Sequence, residues 1–222
     1  DQGYTPADLN QAPADAAEIS LGCGNPLAMA LLKEGDTVID IGSGGGIDAF
    51  IAARKVGPAG RVIGVDMTPS MLRRARQSAL KAGFRNVQFR EGHAEDLPVA
   101  GDSADMVISN CVINLAVDKG RVFAEAFRVL KPGGRLEVSD MVTSGPLPAR
   151  LRQDPQNWAG CVYGALPEQE YLDLVKEAGF KDVRTQRSGS AGALDGTDIY
   201  SLQVSAIKPE DTHCCDSGCC CG

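Results

Sequence analysis

The sequence is poor in several of the groups that catalytic and nucleic-acid-binding chains depend on. Only two histidines occur, His93 and His213, so an imidazole-centred mechanism has little to build on. Aromatic residues make up 5% of the chain, with a single tryptophan, Trp158. Positive charge is outnumbered: 22 lysines and arginines stand against 29 aspartates and glutamates, a net charge of −7, and the cations are scattered. That pattern lacks the basic footprint of a nucleic-acid partner. No apolar run approaches the ~20 residues of a membrane-spanning helix, and no signal-peptide pattern opens the chain. Asp1 stands where methionine would begin a complete chain, the expectation for a trimmed one. The reading so far is a protein with no nucleic-acid and no membrane partner, in the reducing cytoplasm, with its thiols largely free.

Glycine and cysteine are what the chain has in quantity, with 26 and 8 residues. Its 222 residues allow one sizeable α/β domain with an elaboration, not two full domains. The organising stretch is Thr37 to Gly46. Thr37-Val38-Ile39-Asp40-Ile41 is a short β-branched run suited to a strand buried on both faces of a parallel sheet. Gly42-Ser43-Gly44-Gly45-Gly46 breaks it, and Ile47 to Val56 reads as a helix. Strand, glycine loop and helix are the first half of a βαβ unit, in which backbone and a helix N-terminus meet a ligand. A dinucleotide fingerprint starting at Gly42 and Gly44 needs a third glycine at position 47, which is Ile47.

The spacing that does occur, Asp40-x-Gly42-x-Gly44-x-Gly46, resembles the first motif of class I S-adenosylmethionine-dependent methyltransferases. That resemblance implies S-adenosyl-L-methionine as cofactor, with Asp40, Gly42, Ser43 and Gly44 around its amino-acid portion and ribose. Downstream, Arg61 to Asp66 reads as the second strand, and Asp66 falls where a nucleoside site places a carboxylate for ribose hydroxyls. Thr68 and Pro69 open a helix to about Ala82, with Thr68 as its cap. Val87 to Glu91 is the third strand, and the following Gly92-His93-Ala94-Glu95-Asp96 resembles the adenine-recognition segment of the family. Met67, Ala94, Glu95 and Asn110 complete the cofactor set that the resemblance implies.

Ala104 to Asn110 is the fourth strand and leads into Cys111-Val112-Ile113-Asn114-Leu115. Ligands of doubly wound sheets bind outside the strands' carboxyl ends, near the switch between first and fourth strands, so Cys111 stands at the crevice mouth. A helix from about Asp118 to Leu130, a turn at Lys131-Pro132-Gly133-Gly134 and a fifth strand from Arg135 to Met141 follow. Beyond Thr143 the pattern changes: an amphipathic helix over Pro167 to Ala178 precedes two closing strands near Val183–Gln186 and Ile199–Ile207. The expected architecture is a Rossmann-like seven-stranded, mostly parallel sheet with helices on both faces. The expected boundaries are 1–21 for an N-terminal helical lid, 22–142 for the cofactor domain, 143–207 for a sheet-closing segment and 208–222 for a polar Cys-rich tail.

Cys23, Cys111 and Cys161 stand alone, each beside small residues, while Cys214, Cys215, Cys219, Cys220 and Cys221 crowd the tail. Zinc typically takes four ligands in close C-x₂₋₄-C pairs, and no such pair links the three. Three soft thiolates match a thiophilic trivalent centre in number. Gly22-Cys23-Gly24, Val107-Ile108-Ser109-Asn110-Cys111-Val112-Ile113-Asn114-Leu115 and Trp158-Ala159-Gly160-Cys161 are similar to the motifs around the arsenic-binding cysteines of arsenite methyltransferases. The resemblance covers about Tyr4 to Ile207. It implies that Cys111 and Cys161 hold As(III) most firmly, with Cys23 as third ligand. The substrate would be a thiol adduct of trivalent arsenic, and thioredoxin or glutathione would reopen the disulfide left by the redox cycle. Family members often carry a further cysteine upstream of the Gly-Cys-Gly turn, and none precedes Cys23 here. The five tail cysteines are read as a further capture point for arsenic. Two rival readings share parts of this pattern: a class I methyltransferase of an organic small molecule, and a non-catalytic thiol-based metal-binding protein.

Overall fold

The structure is a computed structural model that describes residues 4–13, 16, 24–28, 30–148, 162 and 164–210. Its centre is β1 (Thr37–Ile41), fully buried from Val38 onward because both faces of the strand are covered. β2 (Arg61–Asp66) and β4 (Ala104–Asn110) pair with it in parallel on either side. β3 (Val87–Glu91) and β5 (Leu130–Thr143) extend the parallel set outward. β6 (Lys181–Leu194) and β7 (Thr197–Ile207) then close the sheet as an antiparallel hairpin, with β7 against β5. The order is β3-β2-β1-β4-β5-β7-β6, the expected seven-stranded, mostly parallel sheet.

Period-two alternation sends successive strand residues to opposite layers. Val38, Val62, Met106 and Ile108 pack with α2 (Ile47–Val56) and α3 (Pro69–Lys81), around Phe50, Leu72 and Ala75. Ile39, Ile63, Val65 and Val107 face α4 (Lys119–Val129) and α5 (Glu168–Glu177), around Phe123 and Tyr171, whose rings meet edge to face at 5.3 Å. A four-residue α1 (Pro6–Leu9) precedes these elements, closed at its start by a Thr5–Asp8 capping box. A single 3₁₀ turn, Pro26–Ala28, leads toward β1.

Two local differences from the expected elements have physical causes. Lys131-Pro132-Gly133-Gly134, expected as a free turn, is a bulge inside β5: Leu130 pairs with Ala104 and Arg135 with Met106. Gly133 at φ 77° makes that bulge, and its N–H is taken by the Lys208 carbonyl at 2.9 Å. β6 runs well past Gln186 because Gly189 and Gly192, at φ 62° and 100°, absorb register shifts that would otherwise end it. Asp195-Gly196, both at positive φ, supply the tight turn into β7.

Candidate active site

The switch between β1 and β4 places two turns side by side. After Ile41, the Gly42 and Ser43 N–H groups both donate to the Val65 carbonyl, at 2.7 and 3.0 Å, which folds the glycine loop over the end of β2. Gly42 has φ 72°, and a side chain there would run into Val112. Only glycine combines that backbone with that contact. The loop that should cradle the cofactor therefore touches the turn that carries Cys111.

Asp66 was expected to face a ribose. Its carboxylate accepts from the Gly44 N–H at 2.9 Å and from the Thr68 N–H at 2.8 Å. It thus pins the glycine loop and starts α3, and the Thr68 hydroxyl makes no capping bond. Each carboxylate oxygen keeps a second lone-pair site for a ligand hydroxyl. A cleft of ≈ 390 Å³ opens beside it, lined by Gly42, Asp66, Met67, Ala94, Glu95 and Val112 among others. Glu95 also accepts the Val117 N–H at 3.1 Å, tying the segment after β3 to the one after β4. Met67, 62% exposed, and Val117, fully exposed, give the cleft an apolar rim.

Asp40 lies deeper, at 2% exposure. Among the described residues its Oδ2 has no hydrogen-bond partner, and neither has the buried Ser43 hydroxyl. Burial first, then the Asp48 and Asp66 carboxylates, push the Asp40 carboxyl well above its ordinary range. A buried acid with one oxygen unpartnered, beside a glycine cradle, fits a ligand that brings a cation, as the ammonium of S-adenosyl-L-methionine would. The donor set therefore fits the cofactor expected from the sequence.

Asp48 is the site residue that sequence reading missed. It is the second residue of α2 and is 5% exposed. Burial raises its carboxyl to about 6, partly offset by hydrogen bonds from Tyr4 and Asn110. The Tyr4 hydroxyl donates to Asp48 at 2.8 Å, a contact spanning 44 residues of sequence. An acid in the first turn behind a glycine loop was the one available signal.

Asn110 ends β4, and Cys111 follows with φ 58°, a left-handed conformation costly for a residue with a Cβ. The Cys111 N–H donates to the Ser139 carbonyl at 2.8 Å, which holds that conformation. Cys111 is 3% exposed, beside Met141 and Ile199. It is disulfide-bonded, against the expectation of a free thiol, so it has to be reduced before it can act as a thiolate ligand. Cys23, Cys161 and the tail cysteines Cys214, Cys215, Cys219, Cys220 and Cys221 lie outside the described residues. Their sequence neighbours are informative where described. Gly24, next after Cys23, is buried so closely on the Ser139 hydroxyl that a side chain would not fit. Val162, next after Cys161, packs on the Cys111–Met141–Ile199 cluster. Both neighbours converge on Cys111 and its Ser139 partner.

Comparison with known proteins adds independent findings. The methyltransferase domain family profile matches residues 32–179. An arsenite methyltransferase of Halobacterium salinarum is 49% identical over 181 residues, covering 82% of this chain and 46% of the relative. The crystal structure of an arsenic(III) S-adenosylmethionine methyltransferase from Chlamydomonas reinhardtii superposes with a TM-score of 0.82 at 36% identity, covering 91% of this chain and 73% of that one. Erythromycin 3''-O-methyltransferase of Saccharopolyspora erythraea, whose acceptor is organic, is 32% identical over 81% of this chain and 67% of its own. The chain spans about half the length of the arsenite methyltransferases it matches among sequences, 46% and 52% of the first two.

Proposed function

Because the chain belongs to the arsenite methyltransferase family of class I methyltransferases, we propose that it methylates thiol-bound trivalent arsenic at the expense of S-adenosyl-L-methionine, a detoxifying reaction. The observation that carries this reading is the convergence on Cys111 of Gly24 and Val162, the residues that follow Cys23 and Cys161, directly against the Gly42 loop.

When bound, the cofactor supplies an electrophilic methyl group on a sulfonium. The chain's own part is to bind, orient and exclude water. Asp40 receives the ammonium, the Gly42–Gly46 loop lies against the ribose and amino-acid portion, and Asp66 takes ribose hydroxyls while bracing the loop. Ala94 and Glu95 meet the adenine, and Met67 covers the rim. Cys111 and Cys161, with Cys23 as third ligand, hold As(III) as thiolates and leave its lone pair as the nucleophile. A lone pair needs no proton removed, so the reaction calls for no general base at the cysteines. Methylation through the lone pair takes arsenic formally to the pentavalent state, and two cysteine thiols return it to the trivalent state by closing a disulfide. Thioredoxin or glutathione then reopens that disulfide, and the disulfide at Cys111 is the kind of state such a reductant would act on. The tail cysteines Cys214, Cys215, Cys219, Cys220 and Cys221 serve as a capture point that hands arsenic on by thiol exchange. Among the described residues no helix is long and apolar enough to cross a membrane; the reading places the enzyme in the cytoplasm without nucleic-acid or membrane partners.

The test offers reduced protein and methyl-labelled cofactor two acceptors, arsenite with a thiol and a hydroquinone. Label in methylated arsenic alone supports the reading. Label in the organic acceptor alone would favour the organic-substrate alternative, and arsenic binding with no transfer would favour a thiol-based binding protein.

A further inference from the structure

The hydrogen bonds around Asn110 join segments that the sequence keeps far apart. Asn110 directly precedes Cys111, and its side-chain amide donates to the Gly24 carbonyl at 2.8 Å, next to Cys23 in sequence. The same nitrogen donates to the Tyr4 hydroxyl oxygen at 2.9 Å and lies 3.3 Å from an Asp48 oxygen. Tyr4 in turn donates to the other Asp48 oxygen at 2.8 Å. An amide nitrogen carries two hydrogens, so the two short bonds use both, and the longer Asp48 contact adds electrostatic support. Asp48 orients the Tyr4 hydroxyl, and Tyr4 and Asp48 together aim the Asn110 amide at Gly24. Asp48 is 5% exposed, and bonds in such low-dielectric surroundings are directional and costly to leave unmade.

Resting on the reading that Cys23, Cys111 and Cys161 share one arsenic, we propose that Asn110, oriented by Asp48 and Tyr4, is the positioning residue for three-thiolate binding, tying Gly24, the residue after Cys23, to the end of β4 that carries Cys111. Ser139 lies against Gly24 and accepts from the Cys111 N–H, and Asn110 ties Gly24 to the residue before Cys111. Arsenite binding as As(OH)₃ forms three As–S bonds and releases three waters, one for each thiol that gives up its proton. It therefore needs every cysteine turn in register. Phenylarsine oxide forms only two As–S bonds and releases one water, so Cys111 and Cys161 satisfy it without the tie. Loosening the tie lowers the effective concentration of the third sulfur and leaves the other two untouched.

The experiment titrates phosphine-reduced wild type, Asn110→Ala and Tyr4→Phe with arsenite and with phenylarsine oxide by calorimetry. The expected result is an arsenite dissociation constant about tenfold weaker in both variants, with phenylarsine oxide within about twofold of wild type. Tyr4→Phe removes one hydroxyl from the N-terminal segment and keeps the result readable if Asn110→Ala folds poorly. Equal weakening for both arsenicals marks general destabilisation and overturns the proposal, as does unchanged arsenite affinity in both variants. Wild type that binds neither arsenical would overturn the functional reading itself, and the proposal with it.

Discussion

Replacing Asp66 by alanine perturbs one residue that has two jobs. Its carboxylate accepts from Gly44 at 2.9 Å and Thr68 at 2.8 Å, so the substitution leaves both backbone N–H groups without that partner. Asp66 is half-buried and water can replace part of what is lost, so each bond counts for about 1 kcal/mol, below the range for charged pairs in drier sites. A stability loss of about 2 kcal/mol lowers the melting temperature by about 4–8 °C in a domain of this size. On the proposed assignment of Asp66 to the ribose, cofactor binding carries a second penalty, because the loop loses its brace and the ribose an acceptor. That term is about 1–3 kcal/mol, or about 5–150-fold in the dissociation constant. Arsenite affinity should hardly change, since Asp66 lies on the cofactor side of the cleft. Calorimetric titration with S-adenosyl-L-methionine and with arsenite, beside a thermal melt, reads all three quantities. Unchanged cofactor affinity and an unchanged melt would refute the reasoning and remove Asp66 from the site.

Gly42→Ala should weaken cofactor binding at least tenfold, because it places a methyl against Val112 on a backbone at φ 72°; Gly42→Ala with Val112→Ala should recover part of it, and no recovery would deny the contact its importance. The Asp140 carboxyl is lifted by burial to about 7 from an ordinary 3.8, so it stays protonated in the fold where the unfolded chain is ionised. Its contribution to stability is complete below pH ~4 and is lost as pH rises toward 7, on the order of a few kcal/mol. Asp140→Asn should flatten that fall in urea titrations at pH 5 and pH 8, and an unaltered difference between the two would count against it. Deletion after Pro209 should slow methylation only when arsenite is scarce, leaving the saturated rate intact; no change at either concentration would leave the tail cysteines without a role in capture.

The parallel half of the fold was legible because its strands are short apolar runs cut by glycine. β1 to β4 lie over the predicted residues, and α2 and α4 fall within a residue or so of expectation. The hairpin of β6 and β7 was harder, since Ser188, Gly189, Ser190 and Gly192 read as loop in isolation. They are strand because β7, already fixed on β5, offers them a ladder. Within the site, the glycine spacing and the position of Asp66 were readable because loop geometry is local. The bond from Asn110 to Tyr4 spans 106 residues and that to Gly24 spans 86, distances that no periodicity encodes. Asp48 was overlooked for the same reason: a helix's first turn often carries an acid, and only the Tyr4 and Asn110 contacts give this one its place.

The most direct measurement of the central claim is transfer of label from S-adenosyl-L-methionine to arsenite by reduced protein, run in parallel on wild type, Cys111→Ser and Cys161→Ser. A hydroxyl is a hard ligand that stays protonated at neutral pH, so neither serine variant should give methylated arsenic above background. Both should still bind the cofactor with near wild-type affinity, because Asp40, Asp66 and the glycine loop are intact. Methylated arsenic from wild type alone is the result the account predicts; wild-type rates in both serine variants would contradict it.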